Sequence, residues 1–132
     1  MQVDLALLAD YAAVTNDKKL IAAGIFSSIR GRELPVVHSR MYLALRVRVI
    51  GGEADQHHFT VRLVGPDGAV VMDLSGPFEV QRADRTKDAT LPLVIDIAGQ
   101  QFEKWGPHSF DIYVDERFVE RVELEVGQLA HG

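Results

Sequence analysis

A strict alternation of apolar and polar side chains is the feature that most constrains the fold of this chain. It is clearest from Met41 to Val49, where every second residue is apolar and tyrosine, alanine or arginine lies between. Successive side chains of a β-strand point to opposite faces, so this period of two predicts a strand with one buried face. The 16 valines and 7 isoleucines also indicate strands, because residues branched at Cβ pack well on a pleated surface.

Turn residues divide the middle of the chain into further short strands. Residues 59–63 alternate in the same way and end at residues 64–68, where proline and Asp-Gly favour a tight reversal. A strand over residues 69–74 is expected to return beside the first one. The run Ser75-Gly76-Pro77 predicts a second turn, followed by a strand over residues 78–82.

Residues 91–97 alternate once more and include Pro92. Proline cannot donate a hydrogen bond to a neighbouring strand, so we place this strand at a sheet edge or beside a bulge. Residues 83–88 are predicted to form a loop. Residues 99–106 are predicted to form a connector, with room for a helical turn.

The end of the chain predicts a hairpin with a defined register. Its strands cover residues 108–114 and 118–126, and a three-residue loop over residues 115–117 joins them. This register places apolar residues opposite each other on one face and an ion pair on the other, which stabilises an antiparallel pair. The predicted cross-strand pairs are Val114 with Phe118, Phe110 with Val122, and Asp111 with Arg121.

The first third of the chain is open to two interpretations. Residues 3–14 fit the apolar stripe of a helix and also the alternation of a strand. Residues 19–29 are apolar on both faces, which two paired central strands explain better than an isolated helix does. Strands are therefore preferred. Residues 1–132 are expected to form one all-β domain, an antiparallel β-sandwich of eight or nine strands.

Five short segments are familiar as a set: Leu7-Leu8-Ala9-Asp10-Tyr11-Ala12, Lys19-Leu20, Gly24-Ile25-Phe26, Met41-Tyr42-Leu43 and Phe110-Asp111-Ile112-Tyr113-Val114-Asp115. Together they resemble an uncharacterised bacterial family, a domain of unknown function of about this length. The resemblance implies a β-sandwich and transfers no function. The last hairpin is also similar to that of immunoglobulin-like sandwiches, where a Gly-x-Tyr-x-Phe run leads into it. Gly106, His108 and Phe110 occupy that run here, with histidine at the tyrosine position.

Composition excludes several kinds of chemistry. The chain has no cysteine, so disulfides, thiolate nucleophiles, iron–sulfur clusters and zinc sites with cysteine ligands are excluded. With 14 basic and 19 acidic residues the formal charge is −5, which disfavours a general affinity for nucleic-acid phosphates. The start lacks the basic residues of a signal peptide, and the longest uncharged apolar stretch, residues 20–29, is too short to cross a membrane. A cytoplasmic protein with no membrane partner is expected.

One stripe of acidic residues and a histidine is the candidate site for chemistry. If residues 53–57 are extended, Glu53, Asp55 and His57 lie on one face and could together hold a divalent ion. Two glycines precede the stripe, which favours a solvated loop instead. The sequence contains no nucleophile elbow and no glycine-rich phosphate loop, so no catalytic residue and no cofactor are predicted. A metal-dependent or small-molecule enzyme that uses this stripe is the alternative function.

Basic residues form a second group to consider: Arg30, Arg32 and Arg40, with Lys18 and Lys19. Such a patch could contact a nucleic acid or an acidic partner. Proteins that bind single strands usually stack bases on aromatic side chains, and no aromatic residue alternates with these positions. Nucleic-acid binding is therefore not favoured.

Four aromatic residues are the candidates for a ligand or partner surface. Phe102 and Trp105 lie in the connector before the last hairpin, where they either cap one end of the core or line a binding surface. Tyr42 and Tyr113 lie on otherwise polar strand faces, which suits a contact between two copies. We therefore expect a non-catalytic binding or assembly module that self-associates, with an unknown protein or small molecule as a further partner.

Overall fold

The alternating segments form one strand after another along the chain. The computed structural model describes residues 1–130, and within that range the chain forms nine strands and no helix. None of these residues therefore belongs to a helix long and apolar enough to cross a membrane. The strands are β1 (Gln2–Val14), β2 (Leu20–Phe26), β3 (Ser28–Gly31), β4 (Val36–Val49), β5 (Gln56–Val64), β6 (Val70–Glu79), β7 (Ala89–Phe102), β8 (Gly106–Val114) and β9 (Arg117–Gln128).

Two sheets pack against each other, which confirms the predicted all-β sandwich. The first sheet has the order β2-β1-β4-β7 and the second sheet the order β3-β9-β8-β5-β6. Among the described strands every pairing is antiparallel except that of β3 with β9. This exception arises because the chain passes at Ser27 from the edge of the first sheet to the edge of the second. The Ser27 carbonyl there accepts a hydrogen bond of 2.9 Å from the amide of Glu125.

Inward-facing side chains of both sheets form the core, as the alternation predicts. Met41, Leu43 and Leu45 of β4 are at most 1% exposed and pack with side chains of the second sheet. Each large side chain buried in this way contributes about 1.5–3 kcal/mol to the free energy of unfolding. The largest fully buried side chains are Phe102, Phe110, Leu8, Met41, Leu43, Leu45, Leu63, Ile112, Leu124, Val47, Val49 and Val61.

The last hairpin has the predicted register in its body and a different turn. Pairing of Phe110 with Val122 and of Asp111 with Arg121 is confirmed. The pairing of Val114 with Phe118 is wrong, since Val114 pairs with Arg117 and Tyr113 with Phe118. The turn has two residues instead of three: Asp115 and Glu116 adopt φ angles of 50° and 68°, as in the turns that suit the twist of a hairpin. A bulge between Ile112 and Tyr113 restores the register.

One segment predicted to be a turn lies within a strand. The turn predicted at Ser75-Gly76-Pro77 is wrong, because β6 continues through it to Glu79. Within residues 1–130, β6 pairs only with β5. Its other side has no neighbouring strand in this range that would need a hydrogen bond from Pro77, so proline is tolerated there. Gly76 leaves room for the ring of Phe59, which lies 3.3 Å from where a Cβ would be.

The connector predicted over residues 99–106 is shorter than expected. Strand β7 continues to Phe102 and β8 begins at Gly106, so residues 103–105 join them without a helical turn. Val36 of β4 pairs with Phe102, which keeps the strand extended to that point. The placement of Pro92 on an edge strand is confirmed, because β7 is the last strand of the first sheet.

The central position predicted for residues 19–29 is wrong. Strand β1 is central, but residues 19–29 contribute β2 and β3, which each lie at the edge of a sheet. The apolar residues on the outer side of β2 are therefore not covered by another part of the described chain. Ile21 is 45% exposed and Ile25 is 63% exposed.

Candidate functional site

Exposed apolar side chains gather on the outer face of the first sheet, at its β2 end. Cross-strand pairing places Ile25 of β2, Ala9 of β1 and Tyr42 of β4 in one row on this face. In the next row Tyr11 pairs with Ala23, and the Tyr11 ring meets the Tyr42 ring edge-on at 6.0 Å between centroids. We call this group the β1–β2 patch; it consists of Leu5, Tyr11, Ile21, Ile25 and Tyr42.

Exposure in the β1–β2 patch is highest at the edge of the sheet. Ile25 on β2 has 63% of its surface exposed, Tyr11 on β1 has 52%, and Tyr42 on β4 is half-buried. Ala9, which lies between Ile25 and Tyr42, is fully buried although it faces outward, because larger neighbours cover it. The side chains with the most apolar surface left to bury therefore lie on β1 and β2.

Ion pairs occupy the rest of this face. Arg40 contacts Asp96 at 3.2 Å, Arg46 contacts Asp4 at 2.9 Å, and Arg48 contacts Asp88 at 2.6 Å. All three pairs are exposed to solvent, where such pairs contribute little to stability. Three arginines balanced by three aspartates leave this part of the face without net charge.

The outer face of the second sheet is different, because charged side chains dominate it. The carboxylate of Asp111, a residue only 5% exposed, accepts hydrogen bonds from Arg121 at 2.8 and 3.1 Å and from Ser109 at 2.9 Å. Burial raises the pKa of Asp111, but the hydrogen bonds from Arg121 and Ser109 outweigh burial and hold the pKa below its ordinary value. This part of the face is therefore ionic.

The two predicted contact tyrosines lie on different faces of the sandwich. Tyr42 belongs to the β1–β2 patch, whereas Tyr113 lies on the outer face of the second sheet, with Arg62 5.0 Å from its ring centroid. The ring of Tyr113 meets Phe118 edge-on at 5.8 Å. The structure therefore does not bring Tyr42 and Tyr113 into one surface.

The aromatic residues before the last hairpin belong to the core. Phe102 is 1% exposed, and its ring meets the buried His108 ring edge-on at 5.3 Å. Trp105 is half-buried and packs against the same core. Phe102 therefore offers no surface to a ligand or partner, and of the two interpretations of this cluster the structure supports a cap on the core.

The Glu53, Asp55 and His57 side chains point to separate partners. Glu53 accepts a hydrogen bond of 2.6 Å from the amino group of Met1, and Asp55 accepts one of 2.9 Å from Nε of Arg82. Within residues 1–130 no three histidine, aspartate or glutamate side chains are close enough to hold a metal ion together. The loop fold separates the stripe, so the residues present do not make the predicted metal site.

His57 has a structural role in this corner of the fold. Its Nδ1 lies 2.6 Å from the Asp115 carboxylate and its Nε2 lies 2.6 Å from the Ala54 carbonyl, so both ring nitrogens are within hydrogen-bonding distance of an acceptor. Burial raises the pKa of Asp115, but hydrogen bonds from His57 and from the amide of His58 outweigh it and lower the pKa. These contacts tie the start of β5 to the turn of the last hairpin.

The predicted basic group is spread over several elements. Lys18 and Lys19 lie in the turn before β2, whereas Arg30 lies on β3 after 11 further residues of mostly extended chain, about 35 Å away along the strands. Lys19 is paired with Asp17 at 3.1 Å and Arg40 with Asp96 at 3.2 Å. These positions do not form a continuous basic groove.

Two open grooves lie beside the second sheet. One, of about 660 Å³, is lined by His57, Phe78 and Asp115, and another, of about 560 Å³, lies between Pro66 and Glu123. Sites for small molecules are usually concave and mostly enclosed, with a few convergent polar groups. Neither groove has that form, so a small-molecule site gains no support from them.

Sequence reasoning missed the residues that make the β1–β2 patch, apart from Tyr42. The sequence does show that this segment is apolar on both faces, because Ile21 and Ile25 alternate with apolar residues that face the core. A central strand covered by its own chain would show the same pattern. Only the strand order shows that β2 is an edge strand and that these side chains are uncovered.

Comparison with known proteins adds the family and no function. No curated protein is significantly similar to this chain. The sequence model of one family, described as a family of unknown function (DUF6941), matches residues 4–127, nearly the whole chain. The chain therefore belongs to the DUF6941 family of unknown function.

Proposed function

We propose that this chain is a non-catalytic assembly module in which two copies associate through the β1–β2 patch. The observation that carries the proposal is the concentration of exposed apolar side chains. In the described part of the chain 11 large apolar residues are more than a third exposed, and four of them, Leu5, Tyr11, Ile21 and Ile25, lie on the outer face of β1 and β2. Single exposed apolar residues are ordinary, but a contiguous group on one face is typical of an interaction site.

The chemistry of the β1–β2 patch suits a protein contact. Tyr11 and Tyr42 combine a large apolar ring with few rotatable bonds, and tyrosine is enriched among the residues that dominate binding energy at interfaces. The guanidinium of Arg40 lies 5.7 Å from the centroid of the Tyr42 ring and supplies a polar rim. An apolar centre with a polar rim is the usual anatomy of an interface.

Charge supports a second copy as the partner. The chain as a whole has a formal charge of −5, so two copies repel each other weakly in general. On the outer face of the first sheet the arginine and aspartate pairs balance, and β2 itself carries no charged residue. Two copies can therefore meet at the β2 end of this sheet without bringing like charges together.

The strand order supports an immunoglobulin-like arrangement. Two hairpins, β5–β6 and β8–β9, lie side by side in the second sheet, and β4 pairs with the distant β7 in the first. Immunoglobulin domains place their strands in a comparable order across two sheets. A bacterial origin and a cytoplasmic location stay predictions.

A matched pair of variants tests the assembly proposal. Ile25→Glu places a charge in the β1–β2 patch, and Val71→Glu makes the same change at a residue that is 50% exposed on the edge strand β6. Light scattering after size-exclusion chromatography is expected to show a dimer for the native chain and for Val71→Glu, and a monomer for Ile25→Glu. Equal masses for the two variants would overturn the proposal.

A further inference from the structure

We propose that the two copies join edge to edge, with β2 of one copy pairing antiparallel with β2 of the other, so that two first sheets become one sheet of eight strands. This inference rests on the proposed self-association and specifies its geometry. The two-fold axis passes beside Ala23, the midpoint of β2 (Leu20–Phe26).

The four edge strands of the sandwich support β2 as the joining edge. Strand β3 has four residues and includes Arg30, β6 contains two acidic residues and Pro77, and β7 contains Pro92 and Asp96. Short length, charge and proline are the devices by which natural proteins keep an edge from pairing with another chain. Strand β2 has seven residues with no charge and no proline, so its edge lacks these devices.

The order of side-chain sizes in β2 is symmetric about its midpoint. Antiparallel pairing around Ala23 sets Leu20 opposite Phe26, Ile21 opposite Ile25, Ala22 opposite Gly24, and Ala23 opposite itself. Large side chains therefore meet large ones, and small side chains meet small ones, on both faces of the joined sheet. Cross-strand pairs of this kind stabilise a sheet, and a two-fold axis requires such self-complementarity.

This pairing buries apolar surface of the exposed residues of the patch. Ile21 and Ile25 of both copies form one apolar cluster on the outer face, and Leu20 and Phe26, which are half-buried, extend the core across the seam. Tyr11 lies directly behind Ala23, so the small alanines at the axis leave space for the two tyrosine rings to cover the seam. Ile25 and Tyr11, the most exposed residues of the patch, lie on the joining strand and on the strand next to it.

Charges at the ends of β2 do not oppose the pairing. The nearest basic residue with a partner, Lys19, contacts Asp17 at 3.1 Å, and the other end of the strand is followed by two serines. In an antiparallel pair each Lys19–Asp17 end therefore meets an uncharged end. A strand from a different protein would not need the size symmetry of β2, so the symmetry favours a second copy.

A single cysteine tests the geometry directly, because the native chain has none. Residues opposite each other on an antiparallel pair have Cα atoms about 4.5–5.5 Å apart, inside the range of about 4.4–6.8 Å that a disulfide needs. Mild oxidation of an Ala23→Cys variant is expected to give a covalent dimer nearly completely. The matched control is Val71→Cys, on the edge of β6, which is expected to cross-link only slowly by collision.

Hydrogen exchange is the second measurement, and it does not depend on cysteine chemistry. The amides of β2 that face away from β1 are expected to exchange at least about tenfold more slowly in the native dimer than in monomeric Ile25→Glu. A dimer whose Ala23→Cys variant cross-links no faster than Val71→Cys, with unprotected β2 amides, would overturn edge pairing and leave the proposed self-association standing. A native chain that is monomeric at every concentration would overturn both and would leave the edge for a strand of another protein.

Discussion

Replacing Ile25 by alanine should weaken self-association by about 100-fold, and the size of this effect follows from the exposure of one side chain. The change removes three aliphatic carbons, each of which is worth about 0.8 kcal/mol when buried. Because Ile25 is 63% exposed in the single chain, about 1.5 kcal/mol of this is available for burial at an interface. Two copies contribute the residue, so the dimer loses about 3 kcal/mol, a change in Kd of about 100- to 200-fold.

Sedimentation equilibrium over a range of protein concentrations measures this change. The control is Val71→Ala, which removes two carbons from a residue that is 50% exposed on β6. Its Kd is expected to stay within about twofold of the native value, since surface changes away from an interface have small effects. If Ile25→Ala changes the Kd no more than Val71→Ala does, Ile25 is not buried between the copies and the reasoning is wrong.

Three further predictions concern the stability of the single chain. The folded-state pKa of Asp111 is lowered, so its contribution to the free energy of unfolding is complete above the ordinary pKa and is lost as the pH falls through the folded value. Asp111→Asn weakens the hydrogen bonds from Arg121 and should therefore lower the urea midpoint at pH 7. The urea midpoint of this variant should also fall less steeply in acid than that of the native chain. Glu116→Gly should raise the free energy of unfolding by about 0.5–1 kcal/mol, since Glu116 adopts a φ of 68° that glycine accepts without strain, and an unchanged melting temperature would contradict this. His57→Gln should destabilise the fold by about 1–3 kcal/mol, because the hydrogen bonds to Asp115 and Ala54 are lost. Zinc should leave the melting temperature of the native chain unchanged. A zinc-induced rise in the melting temperature that the variant lacks would support the metal site after all.

The strands with one buried face could be predicted from the sequence in detail. In β4 the alternation from Met41 to Val49 predicts which side chains enter the core, and all five residues predicted to face inward are buried. In the last hairpin, pairing of Asp111 with Arg121 follows from matching apolar with apolar and acid with base across the strands. Local pattern suffices here because a shift by one residue would turn the buried face toward solvent.

Turn residues misled the prediction where a strand lies at an edge. Gly76 and Pro77 are typical of turns, yet both lie within β6. Proline is tolerated there because an edge strand needs no second hydrogen-bonding partner, and glycine leaves room there for the ring of Phe59. Whether a strand lies at the edge of a sheet depends on the strand order, which cannot be predicted from a local sequence pattern.

The β1–β2 patch could not be located from periodicity alone for a related reason. A strand that is apolar on both faces is predicted equally well as a central strand or as an edge strand that another molecule covers. Ile21 and Ile25 fit either description until the topology places β2 at the edge. The positions of Tyr42 and Tyr113 on opposite faces depend in the same way on which sheet each strand joins.

The mass of the native chain in solution is the measurement on which the proposed assembly depends most directly. Sedimentation equilibrium from low to high micromolar concentration should give a weight-average mass that rises from 14.6 kDa toward twice that value and then levels off. A plateau at two copies is the result expected when one closed two-fold contact forms at the β2 end of the β1–β2 patch. A constant mass of 14.6 kDa over the whole range would contradict self-association.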